Sequence, residues 1–424
     1  MRVLWFTNTS SCYREQSGKG YNGGGWISSL EEEIKKYKEI ELGLCFYSKN
    51  VIIPKKEKQS GTIYYILPRP PKTLYYSLIT ILGKDEQSSE LHEKIAMSAL
   101  LEVVDDFKPD IIHVFGSENI YGLLAKYKKV PLILHIQGIL SPCYNAFLPP
   151  FVSWKDYIGQ SNSLIAKFRL ISEKIAWRRN ALTERRMFKY IKYFMGRTEW
   201  DRHILEIFNP SARYYYCCEM LRDTFYLTNT KRTIPGRPVF ITTISSQLYK
   251  GFDILLKTAQ VLKETLNIDF EWKVYGDVSP VFVEKKLSIK HTDVNVVLMG
   301  TASAEEIKES LLTSTAYIHT SYIDNSPNSL CEATLLGVTV ISTNVGGIPS
   351  IVENGKTGFL VPANDPYQMA YLMKYIIDHK DKNIEIGLAA REIAVERHNK
   401  SKILKRVLEI YKDVIKNECS TNIC

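Results

Sequence analysis

Residues 324–347 read D-N-S-P-N-S-L-C-E-A-T-L-L-G-V-T-V-I-S-T-N-V-G-G, a short helix punctuated at both ends and followed by an apolar strand. Ser326 can cap that helix, Pro327 suits a first position that needs no N–H, and Gly337 supplies a left-handed stop, so about ten helical residues are predicted. The amides of Asn328, Ser329 and Leu330 then point out of its positive end, where a phosphate or polarised sugar oxygen is well held. Asp324 before that end and Glu332 inside the helix put two carboxylates at the same mouth, and carboxylates accept hydroxyl hydrogen bonds from a ribose or hexose. A sugar nucleotide needs both features. A plain strand–helix–strand unit with two solvated acids fits the same punctuation, so the rest of the chain has to decide.

At 424 residues the chain is too long for one core, and two domains are expected. Hydrophobic residues make up 45% and charged residues 24%, a globular composition with no low-complexity tract. The net charge of +9 suits a phosphorylated substrate, an anionic lipid surface or nucleic acid, but no nucleic-acid-binding motif accompanies it. Eight cysteines show no C-x-x-C pair and no histidine at zinc-ligand spacing, which predicts reduced thiols and a cytoplasmic protein without a metal site. V-L-W-F-T after the first two residues is too short for a signal-peptide core and reads as a buried strand, and no apolar run reaches the length of a spanning helix.

In the first half, that strand leads into S-G-K-G-Y-N-G-G-G-W at 17–26 and a helical pattern; Gly23, Gly24 and Gly25 would let backbone approach a ligand at a helix N-terminus. The spacing is not G-x-G-x-x-G, so a dinucleotide cofactor is disfavoured, and a flexible turn is the plain alternative. Strands recur at 40–47, 62–68, 110–116 and 131–138 between helical or basic segments, the alternation of a doubly wound parallel sheet. Ser117 and Glu118 follow one strand end, where such sheets bind ligands. His135 and Gln137, two apart, share a strand face and either can reach a cleft, although a hydrogen-bonded core histidine is the somewhat better reading of His135. From Lys167 to Arg202 eleven basic residues stand against four acidic ones, a face suited to anionic lipid, to a pyrophosphate-linked acceptor, or to plain solvation.

The polar segment 227–238 separates a second strand–loop–helix series beginning with V-F-I-T-T-I-S. Its loop S-Q-L-Y-K-G presents Lys250 for a diphosphate and Gly251 for a tight entry. Later strands bring Tyr275, Gly276, Gly300, Thr301 and Asp324 to one sheet edge, Ser303 and Glu306 form a capping box, and Asn354-Gly355 predicts a hairpin turn.

Together G-G-G-W with its helix, G-R-T-E-W-D at 196–201, Y-K-G at 249–251, the 324–347 stretch and E-N-G-K-T-G-F-L-V resemble the retaining glycosyltransferases of family 4 over nearly the whole chain. The resemblance implies an α/β GT-B architecture of two Rossmann-like, doubly wound domains facing a cleft, here 1–230 on the acceptor side and 231–424 for the donor, with helices from about 391 packing back toward the first. That family's E-x7-E donor motif corresponds to D-x7-E, so Glu332 would bind the ribose hydroxyls and Asp324, one carbon shorter, would face the transferred sugar. Lys250 matches the diphosphate lysine, while Ser245 replaces the usual arginine, leaving the glycine loop or Arg197 to substitute. The family's N-domain histidine corresponds to Gln137. No D-x-D occurs, in line with the metal-independent chemistry the resemblance implies, and no cofactor is expected.

The sequence thus predicts a hexosyltransferase that moves sugar from a UDP- or GDP-linked donor to a saccharide, lipid-linked in one version, for a surface polysaccharide. Asp324, Lys250, Gln137 and His135 are its catalytic candidates, and Ser117, Glu118 and Arg197 lie on its acceptor side. A nucleotide-sugar epimerase or hydrolase on the same plan, or a catalytically silent nucleotide-sugar-binding protein, are the rival readings.

Overall fold

The computed structural model describes residues 1–14, 25–70, 85–226 and 232–421. Gly23 and Gly24 of the glycine loop lie outside them. Two units emerge: 1–144 with 157–220 and 400–424, and 145–156 with 221–399.

The first unit is built on eight strands: β1 (Arg2–Phe6), β2 (Glu41–Ser48), β3 (Lys55–Gln59), β4 (Thr62–Pro68), β5 (Ile111–Phe115), β6 (Leu132–His135), β7 (Tyr193–Gly196) and β8 (Arg213–Tyr216). Their order is β3-β4-β2-β1-β5-β6-β7-β8, all parallel except β3, which pairs antiparallel with β4. The central strands are continuous apolar runs because helices cover both faces, so no alternation is needed. The Lys400–Thr421 helix belongs to this core: Ile403, Val407, Ile410, Tyr411 and Val414 pack with Val3, Trp5 and Phe115. Deep inside, the Tyr411 hydroxyl accepts from Trp5 Nε1 at 3.0 Å and bonds His113 Nδ1 at 2.6 Å.

The second unit carries six parallel strands, β9 (Val239–Thr243), β10 (Glu271–Tyr275), β11 (Val296–Gly300), β12 (Ala316–His319), β13 (Val340–Thr343) and β14 (Phe359–Val361), in the order β11-β10-β9-β12-β13-β14. Register aligns Phe240 with Ala316 and Val239 with Glu271, so the carboxyl ends of β9, β10 and β12 lie side by side. Residues 145–156 join this unit: Phe147 stacks on Trp154 with ring centroids 5.3 Å apart, and Asp156 pairs with Lys286 at 2.6 Å.

The predicted hairpin at Asn354-Gly355 is not one. Gly355 does turn the chain, at φ 78° with its N–H on the Gly358 carbonyl, but β14 then adds parallel to β13, because the 344–358 segment carries the chain back before the strand starts. Among the described residues the antiparallel hairpin is instead β3–β4, turned at Ser60-Gly61. Among the described residues no helix is long and apolar enough to cross a membrane.

Candidate functional site

In the second unit β9 sits between β10, the strand that follows it, and β12, which the chain enters only after β11, so the strand order switches here, at the place where such sheets bind ligands beyond the strands' carboxyl ends. The loop after β9 ends in the 3-10 turn Leu248–Lys250 and Gly251, which is left-handed at φ 78°. A Cβ on Gly251 would lie 1.9 Å from the Thr320 carbonyl oxygen, so only glycine lets this loop press on the one after β12. Two bonds knit them: the Tyr322 N–H donates to the Tyr249 carbonyl at 2.7 Å, and Thr320 Oγ1 donates to the Lys250 carbonyl at 3.0 Å.

Lys250 is thereby delivered to Asp324, with Nζ 2.7 Å from Oδ2. His319 Nε2 lies 3.2 Å from the same oxygen and is held from behind by Ser342 Oγ on Nδ1, also at 3.2 Å. Burial pushes the Asp324 carboxyl up, but Lys250 and His319 together outweigh it and hold the group well below the usual carboxylate range. The backbone of Asp324 is fixed by the far end of the same stretch. Gly347 donates to its carbonyl at 3.0 Å, and a Cβ on Gly346, at φ 53°, would stand 1.9 Å from that oxygen.

The organising helix spans Asn328–Leu335, eight residues, and its N-cap is Pro327 rather than Ser326. Pro327 is extended at φ −68°, ψ 119°, so the helix begins one residue later than the punctuation suggests, and the Ser326 hydroxyl faces Cys331 Sγ at 3.7 Å instead of capping. The amide of Leu330 is also not available: it donates to the Pro327 carbonyl at 3.0 Å in a tight first turn. Asn328 and Ser329 keep the outward-facing amides, and Ser329 Oγ bonds the Tyr317 hydroxyl at 2.7 Å. Gly337 is left-handed at φ 77°, the stop the sequence predicts.

Glu332, expected to offer a free carboxylate, is committed. Arg222 grips it with a two-pronged fork, Nε to Oε1 and Nη2 to Oε2 both at 2.7 Å, and the carboxylate is 2% exposed. Tyr275 is a core residue whose hydroxyl bonds Ser310 Oγ at 2.5 Å, so its side chain is not at the mouth. Gly276 serves packing, since a Cβ there would lie 1.8 Å from the Ile244 carbonyl. Gly300 and Thr301 are exposed at the end of edge strand β11, two strands from β9, and the exposed Ser245 donates to Gln247 Oε1. In the first unit Gly25 is the N-cap of the Trp26–Ile34 helix at φ 56°.

The first unit corrects two further expectations. His135 is fully buried on β6, with Trp26 edge-on at 4.9 Å and His113 at 5.6 Å, and burial brings its pKa down to about 3. A strand flanked by β5 and β7 and covered on both faces leaves it no route to a substrate. Arg197 is likewise internal, 3% exposed, 3.1 Å from Glu219 and 5.4 Å from the Trp26 ring. The same guanidinium reaches the Gln137 carbonyl at 3.4 Å, so Gln137 helps close a buried cluster. Ser117 donates to Glu184 Oε1, and Glu184 also accepts from the amides of Leu140 and Ser141 at 2.9 and 3.2 Å; burial raises its pKa to about 7. Glu118 remains exposed, accepting from Asn8 Nδ2 at 2.6 Å.

Sequence reasoning missed His319 and Arg222. His319 ends A-Y-I-H five residues before Asp324, which was a readable signal; Arg222 lies 110 residues from Glu332 and gives none. Lysine, carboxylate and histidine gathered at the strands' carboxyl ends, with two open helix amides following in the chain, can hold an anion beside a hydroxyl-bearing group.

Residues 229–393 match the family described as glycosyl transferases group 1. The N-acetyl-alpha-D-glucosaminyl L-malate synthase of Bacillus anthracis is 25% identical over 166 residues, 39% of this chain and 42% of that protein. The amylovoran biosynthesis glycosyltransferase AmsK of Erwinia amylovora is 26% identical over 171 residues, 38% of this chain and 41% of that protein. The matched region thus spans about two fifths of the length of these curated relatives. Among solved structures, Anabaena HepE in complex with UDP-glucose superposes with a TM-score of 0.66 at 15% identity, covering 97% of this chain and 100% of that one. The architecture is the GT-B fold.

Proposed function

We propose that this chain, whose residues 229–393 form a group 1 glycosyl transferase domain, is a retaining hexosyltransferase that takes sugar from a nucleoside diphosphate and adds it to a saccharide in polysaccharide synthesis. The observation that carries the reading is the pairing of Lys250 with Asp324 at the carboxyl ends of β9 and β12, four residues before a helix that opens with the amides of Asn328 and Ser329. In this reading Lys250 and the helix amides take the negative charge that builds on the leaving diphosphate, the charge stabilisation that dominates such transfers. Asp324, kept ionised, accepts a hydroxyl of the transferred sugar. The acceptor hydroxyl attacks the anomeric carbon from the face the diphosphate leaves, its proton passes to the departing phosphate oxygen, and no metal takes part. UDP-glucose bound to HepE and the amylovoran role in the name of AmsK support the donor and pathway class.

Glu332 would take the ribose hydroxyls, which requires Arg222 to release or share it. That commitment also favours a second reading, a nucleotide-sugar-binding protein without turnover. A panel of UDP- and GDP-sugars, scored first by thermal shift and then by nucleoside diphosphate release with and without saccharide acceptors, tests both. Acceptor-dependent release that Lys250→Ala abolishes is expected. Binding without release selects the second reading, acceptor-independent release indicates a hydrolase, and no binding by any donor overturns the proposal.

The basic helix Leu164–Phe188 suits peripheral contact with anionic lipid at a cytoplasmic membrane face. It exposes Leu164, Ile165 and Phe168 at 73, 84 and 60% beside Lys167 and Arg169, the pairing of apolar and cationic side chains that interfacial helices use.

A further inference from the structure

The first unit has its own divergence point. β1 sits between β2, the strand that follows it, and β5, which the chain enters only after β4, and a cavity of about 320 Å³ opens at the carboxyl ends of β1 and β5. Asn8 and Glu118 come to it from the two strand-end loops, Tyr47 and Tyr121 stack beneath at 5.4 Å between ring centroids, and Arg69 and Arg179 stand at its rim. The size suits one sugar residue with a substituent, at the small end of ligand pockets.

Charge distinguishes this cavity from a neutral-sugar site. Its carboxylate, Glu118, is already satisfied by Asn8 Nδ2 at 2.6 Å. Against it stand two guanidiniums. Arg179 sets Nε and Nη2 on Asn180 Oδ1 at 3.2 and 2.9 Å, and burial brings its pKa down to about 10, the mark of a cation short of solvent. Arg69 makes no hydrogen bond or ion pair among the described residues. A planar guanidinium fork matches carboxylate and phosphate oxygens, whereas hydroxyls alone reward neither the charge nor the geometry.

We propose that this cavity binds an anionic saccharide, one whose sugar ring carries a carboxylate or a phosphate, with Arg69 and Arg179 on the anionic group. The proposal rests on the reading of the chain as a sugar-transferring enzyme and names the acceptor class within it. Nothing in the second unit is required for the binding itself.

The test uses the full chain and four probes: methyl β-D-glucuronide, glucose 6-phosphate, methyl β-D-glucoside and inorganic phosphate, titrated by ligand-observed NMR, with UDP binding measured in parallel. One or both sugar anions should bind at least tenfold more tightly than the glucoside, and whichever is tighter identifies carboxylate or phosphate. Arg69→Gln and Arg179→Gln should each erase most of that preference and leave UDP affinity unchanged. Arg69 is exposed, so its variant keeps the test valid even if Arg179→Gln folds poorly. Equal binding of glucoside and sugar anions, indifference of both variants, or inorganic phosphate matching the sugar anions would overturn the proposal. Loss of UDP binding in the wild type, with the anion preference intact, would instead count against the donor-site reading alone.

Discussion

Replacing Lys250 by methionine removes the ammonium from an oxygen 2.7 Å away, in a pair whose side chains are 22% and 16% exposed. At an effective dielectric of about 20 the attraction is roughly 6 kcal/mol, most of it offset by the cost of taking both charges out of water. Breaking such a pair from one side typically costs about 3–5 kcal/mol, because the remaining charge is stranded. Here His319 and Ser321 stay on Asp324, at 3.2 and 3.5 Å, so we expect about 2 kcal/mol at pH 7. For a unit of this size that lowers the melting temperature of the second unit by roughly 4–8 °C. Asp324→Asn strands only a long lysine that can reach water and should cost about 1 kcal/mol, and the double variant should cost at least about 1 kcal/mol less than the sum. The sign with pH follows from Asp324 being held below its unfolded value. Its contribution is present above about pH 4 and is lost as the pH falls through the folded-state range. Wild-type and Lys250→Met melting curves should therefore converge in acid. A fully additive cycle, or a gap that stays constant from pH 8 to pH 3, would refute the assignment of Lys250 and Asp324 as a partly buried, mutually dependent pair.

His135 is neutral in the fold, with a pKa near 3 against about 6.5 unfolded, so the stability it permits is complete above pH 6.5 and declines as pH falls. His135→Gln should flatten the dependence of melting temperature on pH between 6.5 and 4 and leave UDP affinity intact. Tyr411→Phe should cost about 2–4 kcal/mol in urea unfolding followed by tryptophan fluorescence, because it orphans both Trp5 Nε1 and His113 Nδ1. Gly346→Ala should weaken nucleotide-sugar binding at least tenfold by displacing the Asp324 backbone, whereas Gly355→Ala, also at positive φ but with nothing within 4 Å of its Cβ, should leave binding unchanged and cost only about 1 kcal/mol of stability.

The sheets were legible where strands are buried on both faces, because V-L-W-F, I-I-H-V-F and A-Y-I-H announce themselves without any knowledge of partners. β3 was not, since K-K-E-K-Q is an exposed edge strand whose only apolar support lies in β4. Lys250, Gly251 and Asp324 were readable because a strand-end loop at a divergence point has little freedom in where it puts its side chains. The Ser326 cap failed because Pro327 after it takes the extended conformation that proline itself favours, which moves the helix start to Asn328. Glu332 and Arg197 show a different limit. A charge reads as surface until its partner is found, and Arg222 and Glu219 are brought to them only by the fold.

The chain passes between its two units at 144/145, 156/157, 220/221 and 399/400. On the ribosome this order has a consequence. The first unit begins to emerge first, yet Trp5 and His113 wait for Tyr411, and the face of β1 that packs on Val407 and Val414 stays uncovered until the Lys400–Thr421 helix has been synthesised. Every residue of the second unit precedes that helix. The usual rule that domains mature from the N-terminus is inverted, and the second unit has all its residues synthesised before the first does. A released chain truncated after Asn399 should therefore show a protease-resistant 221–399 region and a still-vulnerable first sheet.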